Sequence, residues 1–201
     1  MTTLAGSARV AGVVLALQLG ACATIPRQNA PPIPWAQRQP ALQSISRFEL
    51  QGRIAASNGA DGFSAGLRWQ QQGDTASIDL TAALGFGAAH IEQSDQALRV
   101  TTSKGLTLEN AAASDQLAAT LGFAPPLQSL RFWILGASDP ASVALQSLDA
   151  QQRLAHLQQA GWQVDYSDYV LVQQQWLPRS LTVTHAPLRL RVVVDAWHLH
   201  P

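Results

Sequence analysis

Apolar and polar residues alternate along much of this chain from residue 47 onward, and this alternation limits the possible folds more than any other feature. The clearest stretch is 188–195, in which every second residue from Leu188 to Val194 is a leucine or a valine. Successive side chains of a strand point to opposite faces, so a period of two places the apolar residues on one face. The pattern predicts an antiparallel sheet with one apolar face and one face in water.

Turn signals such as Asn58-Gly59 and Gly73-Asp74 separate the alternating stretches. We predict eleven strands, at 48–56, 63–70, 75–82, 87–93, 96–102, 105–109, 152–159, 162–168, 169–175, 180–185 and 188–197. A sheet of so many strands does not stay flat, so we expect it to curl into an incomplete antiparallel β-barrel.

Three short helices accompany the predicted strands. They are expected at 35–46, 114–121 and 127–135. Pro40 lies inside the first helix, Ser114 caps the second, and Gly136 ends the third. Three helices are too few to cover both faces of the sheet, so we expect them on the concave face as a lid. The predicted fold class is therefore mainly β with short helices, an incomplete barrel whose helical lid encloses a hydrophobic cavity.

The one cysteine of the chain directly follows an apolar run near its start. That run, 10–19, is about half as long as a bilayer-spanning helix, so it is typical of a secretory signal. The residues that end it, Leu19-Gly20-Ala21-Cys22, match the lipobox, at which bacteria cleave before the cysteine and attach lipid to its sulfur. A secretory signal followed by an incidental cysteine is the alternative.

The lipobox divides the chain into three predicted parts. Residues 1–21 are a lipoprotein signal peptide, 22–34 are a lipid-anchored, proline-rich tether, and 35–201 are a single cargo-binding domain. Cys22 is expected to carry a diacylglycerol group and an N-acyl chain, because two or more chains hold a protein stably on a membrane. Ala23 is compatible with the periplasmic face of the outer membrane. We expect no separate cofactor.

Composition and motifs argue against several classes of function. The chain has 13 Lys and Arg residues against 13 Asp and Glu, so no excess of positive charge favours binding of nucleic acid. Its five histidines show no metal-ligand spacing, and no nucleophile elbow or phosphate-binding loop occurs. The prediction is therefore a protein that is not an enzyme.

The link between two predicted strands, 81–87, is unusually apolar. Leu84 and Phe86 lie among glycines and alanines there, although hairpin loops usually carry polar residues. Either Leu84 packs back into the core, or it protrudes and enters lipid. We name the residues 83–86 the apolar link.

In order and spacing, several sequence motifs resemble the LolB family of outer-membrane lipoprotein receptors. These are the lipobox at Cys22, F-x-L-x-G-R-I-A at 48–55, G-F-S-A-x-x-x-W-Q at 62–70, the apolar stretch 81–87, L-x-S-L-R-F-W-I-L-G at 127–136, G-W-x-V-x-Y at 161–166, L-P at 177–178 and R-L-R-V-V-V-D-x-W at 189–197. The resemblance covers nearly the whole chain.

The resemblance implies an incomplete β-barrel of the LolA and LolB type, closed by a helical lid around a hydrophobic cavity. It implies a receptor that accepts lipoproteins from a LolA-like periplasmic carrier and inserts them into the outer membrane. Leu84 matches the loop leucine that the family uses for insertion, and Phe86 adds to the apolar character. Many family members have proline before that leucine, whereas this chain has Ala83.

A cavity of this kind holds the acyl chains of the cargo, and large apolar residues on the predicted inner face are its expected lining. They are Phe48, Leu50, Ile54, Trp69, Ile78, Leu80, Trp133 and Ile134. Trp69 and Trp133 are equally well explained as core, and a buried indole N–H needs a hydrogen-bond partner in either case. The expected partners are the carrier, lipoprotein acyl chains and outer-membrane lipid, and the protein is expected to be a monomer. The alternative function is a structural outer-membrane lipoprotein with a filled barrel and no cargo.

Overall fold

Eleven strands form within the residues that the computed structural model describes, namely 32–59, 62–82, 87–121 and 126–200. Their bounds are β1 Arg47–Ser57, β2 Gly62–Gln72, β3 Thr75–Ala82, β4 Ala88–Gln93, β5 Leu98–Thr102, β6 Thr107–Glu109, β7 Ala144–Leu148, β8 Leu154–Gln159, β9 Trp162–Val172, β10 Gln175–His185 and β11 Leu188–Leu199. Three helices accompany them: α1 Trp35–Gln43, α2 Asn110–Leu121 and α3 Leu127–Trp133.

All eleven strands belong to one sheet, and every neighbouring pair is antiparallel. The order is β6-β5-β4-β3-β2-β1-β11-β10-β9-β8-β7, so each half of the chain forms a meander. The first and last strands, β1 and β11, join the two meanders in the middle of the sheet. The mainly β, antiparallel, eleven-stranded fold with short helices is thereby confirmed.

The central pair of strands contains one irregularity. The register of β1 against β11 shifts between Gln51 and Gly52. A Cβ atom on Gly52 would lie 2.1 Å from the carbonyl oxygen of Val193, so only glycine allows the two backbones to come this close. A bulge at this point increases the local twist of the strands, which helps the sheet to curl.

The core lies between one face of the sheet and the three helices. Ala65, Leu67 and Trp69 alternate along β2 on the buried face, as the period of two predicts. Leu42 of α1, Leu117 of α2 and Trp133 of α3 pack into the same apolar cluster as the strand residues. The helices therefore cover the apolar face.

The sheet is strongly curved at its centre. Six adjacent strands, from β4 through β1 to β10, span about 24 Å when flat, because neighbouring strands are about 4.8 Å apart. Side chains from all six nevertheless line one small cavity, together with side chains of α3. This is possible only when the sheet curls around that cavity.

Two of the strand predictions were wrong, and their errors cancel in the total of eleven. The first concerns β7, which was not predicted. It is an edge strand of the described sheet, and its Leu145 is 68% exposed, so the stretch lacks the apolar alternation of a half-buried strand.

The second error divided β9 into two strands at Ser167-Asp168, which resemble a turn. The structure instead shifts the register between β9 and β10 near Ser180, and the strand continues. The chain turns later, at Gln173 and Gln174, both of which have positive φ. Glutamine is not a usual residue for that conformation, so the sequence did not show the turn.

The helix boundaries also differ from the predicted ones. α1 ends at Gln43 rather than at 46, and Pro40 lies within it. α2 begins at Asn110, before the predicted cap Ser114. The alanines at 111–113 favour helix without giving a periodic pattern, which explains the difference. α3 ends at Trp133, and the chain then turns at Gly136, where φ is +78°.

Candidate functional site

A small, wholly apolar cavity lies under α3 at the centre of the curled sheet. Its volume is about 50 Å³. The residues that line it are Ile54, Leu67, Trp69, Ile78, Leu80, Ile91, Leu127, Leu130, Ile134, Leu181, Leu190 and Val192. We name it the central cavity. Its volume is a few times what one water molecule needs, so an acyl chain fits only after the surrounding groups move.

The structure places the eight predicted lining residues in two groups. Five of them line the central cavity, namely Ile54, Trp69, Ile78, Leu80 and Ile134. The other three, Phe48, Leu50 and Trp133, are fully buried and do not contribute to its lining. The ring of Phe48 packs instead against Trp69 and Trp197, with centroids 6.1 and 5.7 Å away.

A second cavity lies on the same face of the sheet, toward the ends of β2, β3 and β4, with α2 beside it. Its volume is about 400 Å³ and it is half open to solvent. The lining consists of Phe63, Ala65, Leu80, Ala82, Gly87, Ala88, Ala89, Val100, Thr102, Ser103, Lys104, Leu106, Gln116 and Leu117. We name it the cleft. Lys104 is the one charged residue among these described lining residues.

The cleft exists because its lining residues are small. Ala65, Ala82 and Ala89 stand on β2, β3 and β4 at positions where a larger apolar side chain would fill the space. Sequence reasoning selected large apolar residues as the expected lining, and of these only Leu80 borders the cleft. A run of alanines on the inner face of adjacent strands was the signal that could have revealed it.

The side chain of Gln159 holds α3 and the segment after it against β8. Its Oε1 accepts hydrogen bonds from Trp133 Nε1 at 2.8 Å and from the Asp139 N–H at 2.9 Å. Its Nε2 donates to the carbonyls of Asp139 and Ser142 at 2.7 and 2.8 Å. The buried amide thus satisfies both of its donors and its acceptor. Trp133 is thereby fixed as a structural anchor of the lid, with its indole N–H paired.

Polar contacts also attach the lid at other points. Arg131 of α3 donates from Nη1 to Asp74 Oδ1 at 2.6 Å and to the Gly73 carbonyl at 3.2 Å, on the turn between β2 and β3. Gln39 and Gln43 of α1 donate to Ser138, which lies in the segment after α3. α1 and α3 are therefore tied to the sheet and, through that segment, to each other.

A partly buried polar cluster lies where α1 meets the other end of the sheet. Arg153 donates to Asp149 Oδ2 at 2.7 Å and stacks on the ring of Tyr169, 4.5 Å from its centroid. Burial opposes the charge of Asp149, but hydrogen bonds from the Arg153 side chain and from backbone N–H groups outweigh it and lower the pKa of Asp149. Arg38 of α1 is 5% exposed, and burial together with the nearby Arg153 charge lowers the pKa of Arg38.

Three predicted functional residues, Cys22, Leu84 and Phe86, lie outside the described residues. The residues on either side of the apolar link are described. The N–H of Ala82 donates to the carbonyl of Gly87 at 3.0 Å, and both residues line the cleft. The two residues that flank the link therefore lie at the cleft.

The described residues contain no group of three or more His, Cys, Asp or Glu side chains placed to hold a metal ion. None of their helices combines the length and the apolar character needed to cross a bilayer. The carboxylate of Asp165 lies 2.6 Å from His156 Nδ1 on the exposed side, where the two form a surface pair.

Known proteins resemble this chain in sequence over most of its length. The family model for the outer membrane lipoprotein LolB matches residues 46–197. The LolB outer-membrane lipoprotein of Nitrosococcus oceani is 35% identical over 166 residues, 82% of this chain and 83% of the relative. That of Alkalilimnicola ehrlichii is 34% identical over 199 residues, 98% of each chain.

A similar fold occurs among solved structures. A LolA superfamily protein from Nitrosomonas europaea aligns with a TM-score of 0.53 over 84% of this chain and 94% of that chain. Its sequence identity is 10%, so the likeness concerns the fold alone.

Proposed function

The chain belongs to the outer membrane lipoprotein LolB family, and from that premise we propose that it is a receptor for lipoproteins in transit. It accepts them from a LolA-like periplasmic carrier, holds their acyl chains under the helical lid, and releases them into the outer membrane. The observation that carries the proposal is the apolar inner face of the sheet, which has a small cavity and a larger cleft under the lid.

Such a receptor has to keep the acyl chains of its cargo out of contact with water. Each methylene transferred from water to an apolar environment gains about 0.8 kcal/mol, so an acyl chain does not cross the periplasm unprotected. Side chains such as Leu67, Ile91 and Val192 offer apolar contact of similar quality. Cargo then moves from carrier to receptor to bilayer when its affinity rises at each step, and no nucleotide is needed.

Cargo and lid compete for the same apolar surface in this proposal. Leu127, Leu130 and Ile134, from α3 and the residue after it, fill the centre of the curled face when no acyl chain is present. A bound acyl chain takes the place of these lid residues. The apolar surface that they leave is then covered by the acyl chain instead of being exposed to water, which lowers the free-energy cost of displacing the lid. The half-open cleft offers the first place for the chain to enter.

Lipidation at Cys22 places this domain at its site of action. As a LolB-family lipoprotein the protein is held in the outer membrane, and we propose that the acyl groups on Cys22 are its anchor and residues 23–34 its tether. The domain can then reach both the carrier and the bilayer.

We assign the insertion step to Leu84 and Phe86 of the apolar link. The residues that flank the link, Ala82 and Gly87, both border the cleft. Apolar side chains at that position lead the acyl chain from the cleft toward lipid.

Binding of a fluorescent hexadecanoyl probe to the protein without residues 1–22 tests the proposal, since Pro32–Pro201 form one compact unit. We expect saturable binding that unlabelled hexadecanoic acid displaces, together with transfer of a lipoprotein from a LolA-like carrier to liposomes bearing the full lipidated protein. If the probe does not bind saturably and the lipoprotein is not delivered, the protein is the structural lipoprotein with a filled barrel.

A further inference from the structure

Leu80 stands on the boundary between the central cavity and the cleft. It is the one described residue that lines both of them. We propose that Leu80 is a gate whose side chain separates the two spaces and turns aside when a long acyl chain binds. This inference rests on the proposed function and adds a route and a chain-length limit to the cargo site.

The positions along β3 place the two spaces end to end. Ile78 lines the central cavity alone, Leu80 lines both, and Ala82 lines the cleft alone. The three residues share one face of the strand, and each step of two residues covers about 6.7 Å. The two spaces therefore succeed each other along the strand, with Leu80 in the middle.

The neighbouring strands show the same division. Leu80 is opposite Leu67 on β2 and opposite Ala89 on β4. Leu67 lines the central cavity, whereas Ala89 lines the cleft. Two residue pairs further along β2 and β3, Ala65 is opposite Ala82, and both line the cleft. The boundary thus crosses the sheet at the point where large side chains give way to alanines.

Leu80 has the freedom that a gate requires. It is partly exposed, whereas Ile78 on the same strand is buried, with only 4% of its surface exposed. Cavity space lies on two sides of Leu80, which gives its side chain room to change rotamer. When it turns, the central cavity and the cleft become one channel that extends to Ala82 and Gly87.

This arrangement predicts how binding depends on chain length. A short acyl chain fits in the cleft, and its affinity rises about fourfold with each methylene buried. A longer chain has to displace Leu80 before it reaches the central cavity, so the gain per methylene falls at the length that fills the cleft. The gain resumes once the gate has turned.

Displacement of the fluorescent hexadecanoyl probe by saturated fatty acids, from octanoic to octadecanoic acid, measures this profile. Leu80→Ala removes the gate, and we expect an uninterrupted rise of about fourfold per methylene. Leu80→Phe enlarges the gate, and we expect the affinity to stop rising at a shorter chain. Leu80→Met keeps the volume with a more flexible side chain, and we expect a weaker interruption than in the wild type.

Ile78→Ala is the matched control, because it removes a side chain of the same size from the central cavity without joining it to the cleft. We expect its profile to keep the wild-type interruption. Identical profiles for the wild type, Leu80→Ala, Leu80→Phe and Ile78→Ala would overturn the gate and leave the receptor proposal standing. A wild-type protein that binds no fatty acid of any length would overturn both.

Discussion

The indole N–H of Trp133 donates a hydrogen bond to the side-chain carbonyl of Gln159 at 2.8 Å. This contact joins the last residue of α3 to the last residue of β8. The same amide serves the backbone of Asp139 and Ser142, so one buried side chain fixes both the lid helix and the segment that follows it.

Replacement of Gln159 by leucine is expected to lower the free energy of unfolding by about 3 kcal/mol or more. The apolar side chain leaves the Trp133 N–H, the Asp139 N–H and two backbone carbonyls buried without partners, and each such group costs about 1–3 kcal/mol. Denaturant unfolding followed by tryptophan fluorescence measures the loss. Gln158→Leu, at the exposed neighbouring position, is the control and should change stability by about 0.5 kcal/mol or less. Equal effects at both positions would contradict this role of Gln159.

The chain has two tyrosines, and neither should ionise near its usual pH while the protein is folded. Burial raises the pKa of Tyr166 well above its ordinary value of 10.0, and burial likewise raises the pKa of Tyr169. Their hydroxyls donate to the carbonyls of Trp133 and Leu154 at 2.9 and 2.7 Å.

The folded state therefore favours the neutral phenols, and the stability that this contributes is complete below about pH 10, the unfolded value. It is lost as the pH rises from there toward the raised folded pKa values. A pH titration of phenolate absorbance, with unfolding followed by tryptophan fluorescence in the same samples, should show both signals changing together. Phenolate that forms near pH 10 in a folded protein would show that one tyrosine is exposed.

The sequence predicted the parts of the fold that have one apolar side. β3 and β11 alternate cleanly because one face of each is packed and the other is in water, and their positions were predicted correctly. The edge strand β7 has no such contrast, since Leu145 is exposed on it. The turn at Gln173 and Gln174 was missed because the pairing of β9 with β10, rather than a turn preference of glutamine, imposes it.

The candidate site was predicted in part for a related reason. Large apolar residues identify the inner face of the sheet, and five of those named line the central cavity. Which of them fill space and which border a void depends on side chains from distant strands, as the contact of Phe48 with Trp197 illustrates. The cleft depends on alanines, which carry no strong signal of their own.

Arg38→Met is expected to raise the free energy of unfolding by about 1 kcal/mol. Arg38 is buried, its Nε has no hydrogen-bond partner, and its guanidinium lies near the charge of Arg153. Removal of a buried charge whose Nε is unpaired eliminates a desolvation cost larger than its attraction to Asp149, and methionine retains the packing of the stem.

Arg153→Met is the comparison variant, and it is expected to change the free energy of unfolding in the opposite direction. Arg153 is paired with Asp149 at 2.6 Å and stacks on Tyr169, so its loss should destabilise the protein by about 2 kcal/mol. Thermal and denaturant unfolding of both variants give the two values. A loss of stability in Arg38→Met as large as that in Arg153→Met would show that Arg38 has a stabilising partner.

Leu84→Glu is expected to reduce delivery of lipoprotein to liposomes while leaving uptake from the carrier unchanged. A charged side chain in the apolar link opposes contact with the hydrocarbon region of a bilayer. Uptake and delivery are measured separately, with a labelled lipoprotein first on the carrier and then in liposomes. Leu145→Glu makes the same chemical change at a leucine that is 68% exposed on β7, and it should affect neither step. Unchanged delivery by Leu84→Glu would remove the link from the insertion step.

The pairing of β1 with β11 also determines the order in which the protein folds. Residues such as Arg53 and Asp195, which form an ion pair at 3.1 Å across that seam, are separated by 142 positions in the chain. Each meander is built from local hairpins and forms early, whereas the seam has to close a loop that spans most of the chain and forms slowly. The two halves of the apolar face therefore stay apart, and their apolar surface stays exposed, until β11 has been synthesised and exported. A nascent chain of this kind has to be shielded from aggregation for the whole of that interval, and loss of its last dozen residues removes the centre of the sheet rather than its edge.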